Sequence, residues 1–253
     1  MDSVSSFVRD YLSVHEFTVL FSGGKDSTAA LLWVANNVPH ERWDVLYIEV
    51  TGNTHPLCNQ YVYEVIEALG LRHRFRHAKR EDLDFFEALR RWGVPIRSAW
   101  RWCLWQFKMR LIQRYARPIQ VNGIRRSDSA RRKKIAVIHY FRLGNCITVQ
   151  PIYDWSDRQV EEYIRQHGLT INPCYGIYKH SGNCMFCPYY SIDMIRRTMA
   201  DPVWGPMIAE ILRELAEHGH GWVTREVAKK WLRYTPSRSL LEYVQQTKVG
   251  SHG

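Results

Sequence analysis

Ser22-Gly23-Gly24-Lys25-Asp26-Ser27-Thr28 concentrates groups that can hold an anion. Two glycines let a backbone come close to a ligand. Ser22, Ser27 and Thr28 carry hydroxyl donors, and Lys25 carries a mobile positive charge. The segment lies between an apolar, β-branched run, Phe17 to Phe21, and a run with the apolar content of a packed helix, Thr28 to Asn36. Strand, tight loop and helix in that order aim unpaired helix-start amides at one point, which makes a phosphate cradle. The plainer alternative is a glycine turn that caps a helix, and the flanking strand and helix weigh against it. The loop does not have the spacing of a Walker motif.

Cysteine supplies a second constellation. Cys184 and Cys187 form a Cys-x-x-Cys pair followed by Pro188, Cys174 stands in Asn-Pro-Cys-Tyr, and Cys103 stands in Arg-Trp-Cys-Leu-Trp. One close pair and two distant thiols can converge as a four-thiolate centre, which suits tetrahedral zinc or an iron–sulfur cluster. Arg101, Lys108 and Lys179 would help such thiols to lose their protons. A thioredoxin-like pair is disfavoured, because no helix plainly begins between Cys184 and Cys187. Cys58, and Cys146 in a predicted strand, read as buried free thiols.

The third constellation is Gly123-Ile-Arg-Arg-Ser-Asp-Ser-Ala-Arg131-Arg132, which follows a predicted strand. Arginine pairs with phosphate or sulfate oxygens through its planar fork, so Arg125 and Arg131 are candidate anion contacts. A solvated basic loop is the bland reading of the same residues.

The elements that must position these groups alternate. Asp44 to Val50 reads as a second strand, Arg72 to Arg76 as a third and Pro118 to Ile124 as a fourth; Ile135 to Ile138 and Cys146 to Ile152 add strands. Helices are predicted over Asn59 to Leu69, Glu81 to Trp92, Arg101 to Tyr115, and Ser156 to His167, the last capped by Ser156. This alternation predicts an α/β fold, a doubly wound and mainly parallel sheet with helices on both faces. Ligands in such sheets lie beyond the carboxyl ends of the strands, where the first loop falls. After Pro188 the pattern turns helical over Ile192 to Ala200, Trp204 to Glu217 and Thr224 to Tyr234, then polar towards Gly253. The expected division is a nucleotide-binding domain over 1–170, then a cysteine segment with a C-terminal helical appendage over 171–253.

Composition narrows the function classes. The chain has 253 residues, six Cys and a net charge of +10. No apolar stretch approaches the roughly 18 residues of a membrane span, and the N-terminus lacks the pattern of a signal peptide, so a cytoplasmic location without membrane association is expected. Cysteines in that compartment serve as thiols or metal ligands. Between Arg90 and Arg142 stand fifteen Lys or Arg and a single acid, Asp128, a surplus of +14. Trp92, Trp100, Trp102, Trp105, Phe107 and Tyr115 interleave with them. Charge mixed with flat rings suits a nucleic acid partner, although a charge run is often only a solvated face.

Ser-Gly-Gly-Lys-Asp-Ser after a strand resembles the PP-loop of the ATP pyrophosphatase superfamily, which cleaves ATP between its α- and β-phosphates. The order Ser22-Gly-Gly-Lys-Asp-Ser27, Arg101-Trp-Cys103, Gly123-Ile-Arg125, Ser127-Asp-Ser129, Arg131, Asp154-Trp-Ser156 and Asn172-Pro-Cys-Tyr with Cys184-x-x-Cys187-Pro resembles the phosphoadenosine-phosphosulfate (PAPS) reductase family, over residues 17 to 190. The resemblance implies an adenine nucleotide α-hydrolase fold. It implies that Ser22, Gly23, Gly24, Lys25, Asp26, Ser27 and Thr28 hold phosphates, with Gly123 and Arg125 close by. Ile48, Glu49 and Thr51 would flank the adenosine. In iron–sulfur members, a distant cysteine and a Cys-x-x-Cys bind a [4Fe-4S] cluster, here drawn from Cys103, Cys174, Cys184 and Cys187, with Zn2+ as the alternative.

The sequence also departs from that family. Its reductases attack the sulfonate with a cysteine near the C-terminus, and no cysteine follows Cys187 here. The expected function is therefore adenylylation with ATP and Mg2+, the ion lying near Asp26, to activate a nucleic acid (tRNA or DNA) for thiolation or phosphorothioation. Lys25, Asp26, Arg125 and Arg131 would be the catalytic group, and a sulfur or electron donor protein is a possible partner. His15 and Glu49 are weak candidates for a general base. The alternatives are a PAPS or adenylyl-sulfate reductase using an external thiol, and a non-catalytic zinc protein that binds nucleic acid.

Overall fold

The computed structural model describes residues 3–39, 41–96, 101–217 and 221–236. Arg97, Trp100 and the polar tail from 237 to 253 lie outside the described residues. The sheet order is β3-β2-β1-β4-β6-β5, with β1 (Phe17–Phe21), β2 (Trp43–Ile48), β3 (Phe75–Ala78), β4 (Ile119–Val121), β5 (Ile138–Phe141) and β6 (Cys146–Val149). Every pairing is parallel except β5 with β6, which is antiparallel. Phe17, Val19 and Phe21 of β1 are buried, and so are Ile119, Gln120 and Val121 of β4. Central parallel strands covered on both faces are predominantly apolar, and the buried polar Thr18 and Gln120 donate to Asp44 and to the Arg117 carbonyl.

The chain steps from β1 outward to β2 and β3, then returns to lay β4 on the other side of β1. Strand order therefore reverses between β1 and β4, and the crevice beyond their carboxyl ends is where such sheets take ligands. Helices α1 (Ser3–Val14), α2 (Lys25–Asn37), α3 (Pro56–Ala68) and α7 (Asp157–Gln166) contribute to one core, in which Val8, Leu12, Leu31, Val62 and Ile164 are fully buried. Ser156 caps α7 through a reciprocal pair with Gln159, which satisfies helix-start amides.

A second core joins α4 (Phe85–Trp92) and α5 (Trp102–Leu104) to α9 (Ile192–Met199), α10 (Trp204–Glu217) and α11 (Gly221–Leu232). Phe85, Trp102, Phe107, Phe186 and Trp231 interlock there. The expected doubly wound sheet with a C-terminal helical part is thus present.

Local differences have physical causes. Arg72 to Arg76 was expected as a strand, but Arg72–Arg74 is a 3-10 turn, and pairing with β2 starts at Phe75 opposite Val45. Ile135 to Ile138 gives way to β5, whose register is set by the turn before Cys146. The basic helix is interrupted by a π-helical turn, Trp105–Met109, before α6 (Arg110–Tyr115). The aromatics in the basic run are not a surface platform. Trp102 and Phe107 are buried and Trp92 packs on the same core, which leaves Trp105, at 39% exposure, as the partly solvent-facing tryptophan among the described part of the run. Packing on the second core removes the apolar area of these rings from water.

Candidate nucleotide site

Gly24 ends the β1 loop and precedes α2 without a side-chain cap, so the helix-start amides are left to other partners. Gly23 has φ +72°, a conformation that disfavours any residue with a Cβ. The Ser27 hydroxyl donates to Gly24 O at 2.8 Å and accepts from Ser22 N at 3.2 Å. Thr28 Oγ1 donates to the same carbonyl at 3.1 Å. Ser27 and Thr28 are buried and shape the loop, whereas Ser22 is exposed. Gly123, which follows β4, has backbone of the first loop directly against it. A Cβ there would lie 2.4 Å from Asp26 O and 2.7 Å from Ser27 N. The two loops of the crevice touch through a residue that must have no side chain.

Charge converges at the same place. Arg125 is 4% exposed and faces three carboxylates. Its Nε lies 3.0 Å from Asp26, at ion-pair distance but without hydrogen-bond alignment. Its Nη2 lies 3.3 Å from Asp128 and 3.0 Å from Asp157. Lys25 is ion-paired with Asp157 and lies 3.5 Å from Glu161. Burial pushes the Asp26 carboxyl above its ordinary value against the pull of Arg125. The hydrogen bond from Lys25 holds Asp157 below its own. Arg132 also pairs with Asp128.

A cleft of about 680 Å³ opens beside the loop, lined by Lys25, Glu161, Asn172, Tyr175, Lys179 and Met194 among others. The Lys25 amide donates to the Tyr175 hydroxyl at 3.3 Å, and Asn172 Nδ2 donates to Gly23 O at 2.8 Å. Asp128, Asp157, Glu161, Asn172 and Tyr175 were not given roles by the sequence reading. Asp157 and Glu161 carry one usable signal, since they are four residues apart on a helix that follows the carboxyl end of β6.

The other expected residues are distributed as follows. Arg131 is exposed and makes no ion pair among the described residues. Ile48, Glu49 and Thr51 are at the carboxyl end of β2, the strand next to β1. Glu49 pairs with His77 at 2.9 Å, which lowers its pKa and makes it a poor base. His15 precedes β1, at the end of the sheet away from the crevice, and its Nδ1 lies 2.7 Å from Tyr11 O.

The four expected sulfur ligands are not brought together. Cys103, Cys184 and Cys187 line one small cavity of about 70 Å³ with Arg101 and Lys108. Cys174 opens helix α8 (Cys174–Tyr178) and is buried with Cys58, Tyr178 and Met185 in a separate cluster. The Asn172 side chain accepts from the Cys174 amide at 2.9 Å and fixes the start of that helix. Among the described residues, no three of His, Cys, Asp and Glu are grouped so as to hold one ion. The residues as placed do not fit a four-thiolate centre. Burial also pushes the Cys187 and Cys174 thiols up to about 11.

Comparison with known proteins bears on the family and the fold. The profile of the phosphoadenosine phosphosulfate reductase domain matches residues 16–190. An uncharacterised protein of Methanocaldococcus jannaschii is 27% identical over 176 residues, covering 66% of this chain and 40% of that protein. A phosphoadenosine 5′-phosphosulfate reductase of Yersinia enterocolitica is 41% identical over 51 residues, 20% of each chain. The chain thus spans well under half the length of these curated relatives. The crystal structure of phosphoadenylyl-sulfate reductase from Candida auris in a phosphate complex superposes with a TM-score of 0.52 at 17% identity, covering 69% of this chain and 84% of that one. That likeness establishes the shared fold. No helix among the described residues is long and apolar enough to cross a membrane. With the family profile matched over more than half its length, this chain belongs to the phosphoadenosine phosphosulfate reductase domain family.

Proposed function

We propose that the chain is an ATP-dependent adenylylating enzyme of sulfur transfer, with a nucleic acid as acceptor. The observation that carries this reading is the acidic ring at the loop. Asp26, Asp128, Asp157 and Glu161 stand against Lys25, Arg125 and Arg132, so these three cations are already paired within the fold. With those cations already paired, a bare nucleotide meets four carboxylates there, whereas a phosphate chain carrying Mg2+ brings the cation that hard oxygen ligands prefer. Reduction of a sulfonate expels no pyrophosphate and has less use for such a ring.

In the proposed reaction an acceptor oxygen attacks the α-phosphorus of ATP. The bond to the α–β bridging oxygen breaks, and pyrophosphate leaves with the bonding pair. A sulfur nucleophile then displaces AMP from the adenylylated acceptor. Ser22 to Thr28 grip the leaving pyrophosphate, and Lys25 and Arg125 stabilise charge growing around the α-phosphorus, where preorganised cations act most strongly. Ile48, Glu49 and Thr51 flank the adenosine, and Arg131 reaches in from its exposed loop. The division into 1–170 and 171–253 belongs to this proposal, as does a cytoplasmic setting. No step runs through a metal cluster. A metal role for Cys103, Cys184 and Cys187 is tested by iron and zinc analysis of a Cys174→Ser protein, which is expected to retain whatever metal the parent holds.

The second reading, a PAPS or adenylyl-sulfate reductase using an external thiol, is favoured by the family profile itself. Calorimetry with ATP, adenylyl sulfate and PAPS, each with and without Mg2+, separates the two. Mg2+-dependent ATP binding, with pyrophosphate release on adding RNA or DNA, is the expected result. Metal-independent binding of a sulfonated nucleotide with sulfite release to a dithiol would replace it with the reductase.

A further inference from the structure

The surplus of positive charge between Arg90 and Arg142 divides into two populations. Many of its members are engaged within the fold. Arg117 pairs with Asp44 at 3.0 Å and also with Glu16, Arg90 pairs with Glu214 at 2.7 Å, and Lys108 donates to Asn183 at 2.9 Å. Arg91, Arg101 and Arg114 lie over the rings of Trp92, Tyr189 and Tyr115. By contrast, the side chains of Arg131, Lys133, Lys134 and Arg142 are exposed and make no ion pair, hydrogen bond or ring contact among the described residues. All four belong to one excursion between β4 and β6.

That excursion is anchored to the nucleotide crevice and presents an ordered ring. The Arg126 amide donates to Tyr153 O at 2.9 Å, and the Tyr153 hydroxyl donates to Arg132 O at 2.9 Å. Arg125, next in sequence, is part of the crevice wall. Further along, Tyr140 on edge strand β5 is 60% exposed, yet its hydroxyl donates to Asn145 Oδ1 at 2.6 Å. Asn145 has φ +49°, a conformation that asparagine tolerates, and it holds the ring at the sheet edge. Leu143, 57% exposed, stands beside it at the turn.

We propose that this edge, formed by Lys133, Lys134, Tyr140 and Arg142, is the docking surface for single-stranded nucleic acid. Free cations take the phosphates, and a ring fixed in advance stacks on an unpaired base at little ordering cost. A duplex presents no free base face to Tyr140, and a polypeptide of acidic side chains has no aromatic ring to stack on it. Tyr140 lies opposite Ile147 near the start of β6 and Ile138 opposite Val149 at its carboxyl end, so a strand seated on this edge would run along β5 towards Lys134 and the crevice end of the sheet, and the inference rests on the acceptor reading above.

The test is fluorescence anisotropy with labelled oligouridylate RNA and oligothymidylate DNA of about 20 nucleotides, longer than the usual footprint of one such site. Polyglutamate serves as competitor, and the salt concentration is varied. Both oligonucleotides are expected to bind, and the stronger of the two identifies the natural sugar. In K133E/K134E/R142E, the slope of log affinity against log salt should fall by about 2, at roughly 0.7 per lost phosphate contact on a single strand. Tyr140→Ala should weaken binding at least about fivefold, the low end for one stacked base. Arg114→Glu, outside the excursion, should change affinity less than twofold. ATP calorimetry and melting curves on the same samples report folding and the nucleotide site separately. Absence of oligonucleotide binding, an unchanged salt slope in the triple variant, or displacement by polyglutamate at equal charge would overturn the proposal. If the triple variant does not fold, Lys134→Glu and Tyr140→Ala alone carry the same readings. ATP binding without oligonucleotide binding refutes the edge alone, and the reverse result refutes the adenylylation reading alone.

Discussion

Gly123→Ala is the sharpest probe of how the crevice is built. The added methyl would lie 2.4 Å from the Asp26 carbonyl oxygen, about 1 Å inside ordinary contact at 3.4 Å, and 2.7 Å from the Ser27 amide nitrogen. Both neighbours are backbone at the start of α2, so no side chain can swing aside. Overpacking of this kind costs about 1–3 kcal/mol. For a chain of this length that lowers Tm by roughly 2–12 °C, at about 2–4 °C per kcal/mol. The strain falls on the loop proposed to hold phosphate, so affinity for Mg-ATP should drop at least about tenfold, the equivalent of 1.4 kcal/mol. Gly176→Ala is the control for melting alone, since no atom lies within 4 Å of its added methyl and its φ is not positive, while its place in the lining of the cleft bars it as a binding control. Scanning calorimetry compares both variants with the parent, and nucleotide titration compares G123A with the parent. A G123A protein that melts with the parent and binds nucleotide equally would refute the packing of the two loops described above.

Three further outcomes follow from the same structure. Arg125→Gln removes the guanidinium that serves Asp26, Asp128 and Asp157, and should cost about 3 kcal/mol in urea unfolding, at the lower end for a broken buried pair because Asp157 is 68% exposed. Ser156→Ala removes the cap of α7 and should cost about 1 kcal/mol, read as a Tm loss of a few degrees. His180 is buried and stacked between Tyr178 and Tyr190, and burial lowers its pKa from 6.5 to about 4. Between those values the unfolded chain binds the extra proton, so stability is complete above pH 6.5 and falls as pH drops towards 4. The gap is worth about 3 kcal/mol at 1.36 kcal/mol per pH unit. Melting curves of His180→Phe across that window should show a flatter slope than the parent, and an equal slope would dismiss His180 as the source.

What could be read from the chain divides along the reach of the interactions. The loop after β1 and the cap of α7 were legible, because each is a local pattern of small, hydroxylated or apolar residues. Helix α2 begins at Lys25, three residues before the expected start, since the loop residues Lys25 to Ser27 already turn helically despite their polarity. Helix α1 was not anticipated at all, although Val8 and Leu12 are fully buried in the first core. Contacts across the fold were invisible. Nothing local announces that Lys25 meets Asp157, or that Cys174 packs with Cys58 and leaves the other three expected ligands. The rings at 92, 102 and 107 illustrate a wrong weighting. Interleaved with arginine they suggest a stacking surface, but they pack on the second core from α4, α5 and the π-helical turn, contacts that the spacing of 92, 102 and 107 does not announce.

The segment carrying Cys184 is stitched to the nucleotide domain rather than draped over it. Asn53 is fully buried and binds both the amide and the carbonyl of Phe186, at 2.7 and 3.0 Å, and Thr54 donates to Asn183 O at 3.0 Å. One side-chain amide, that of Asn172, bridges Gly23 O and Ser181 O. Asn172 and Asn53 thus give the anion loop and the sulfur cavity a shared set of hydrogen bonds, and whatever factor a ligand at one imposes on affinity at the other it receives back. An affinity measured at the loop is therefore to be reported together with the redox state of Cys103, Cys184 and Cys187.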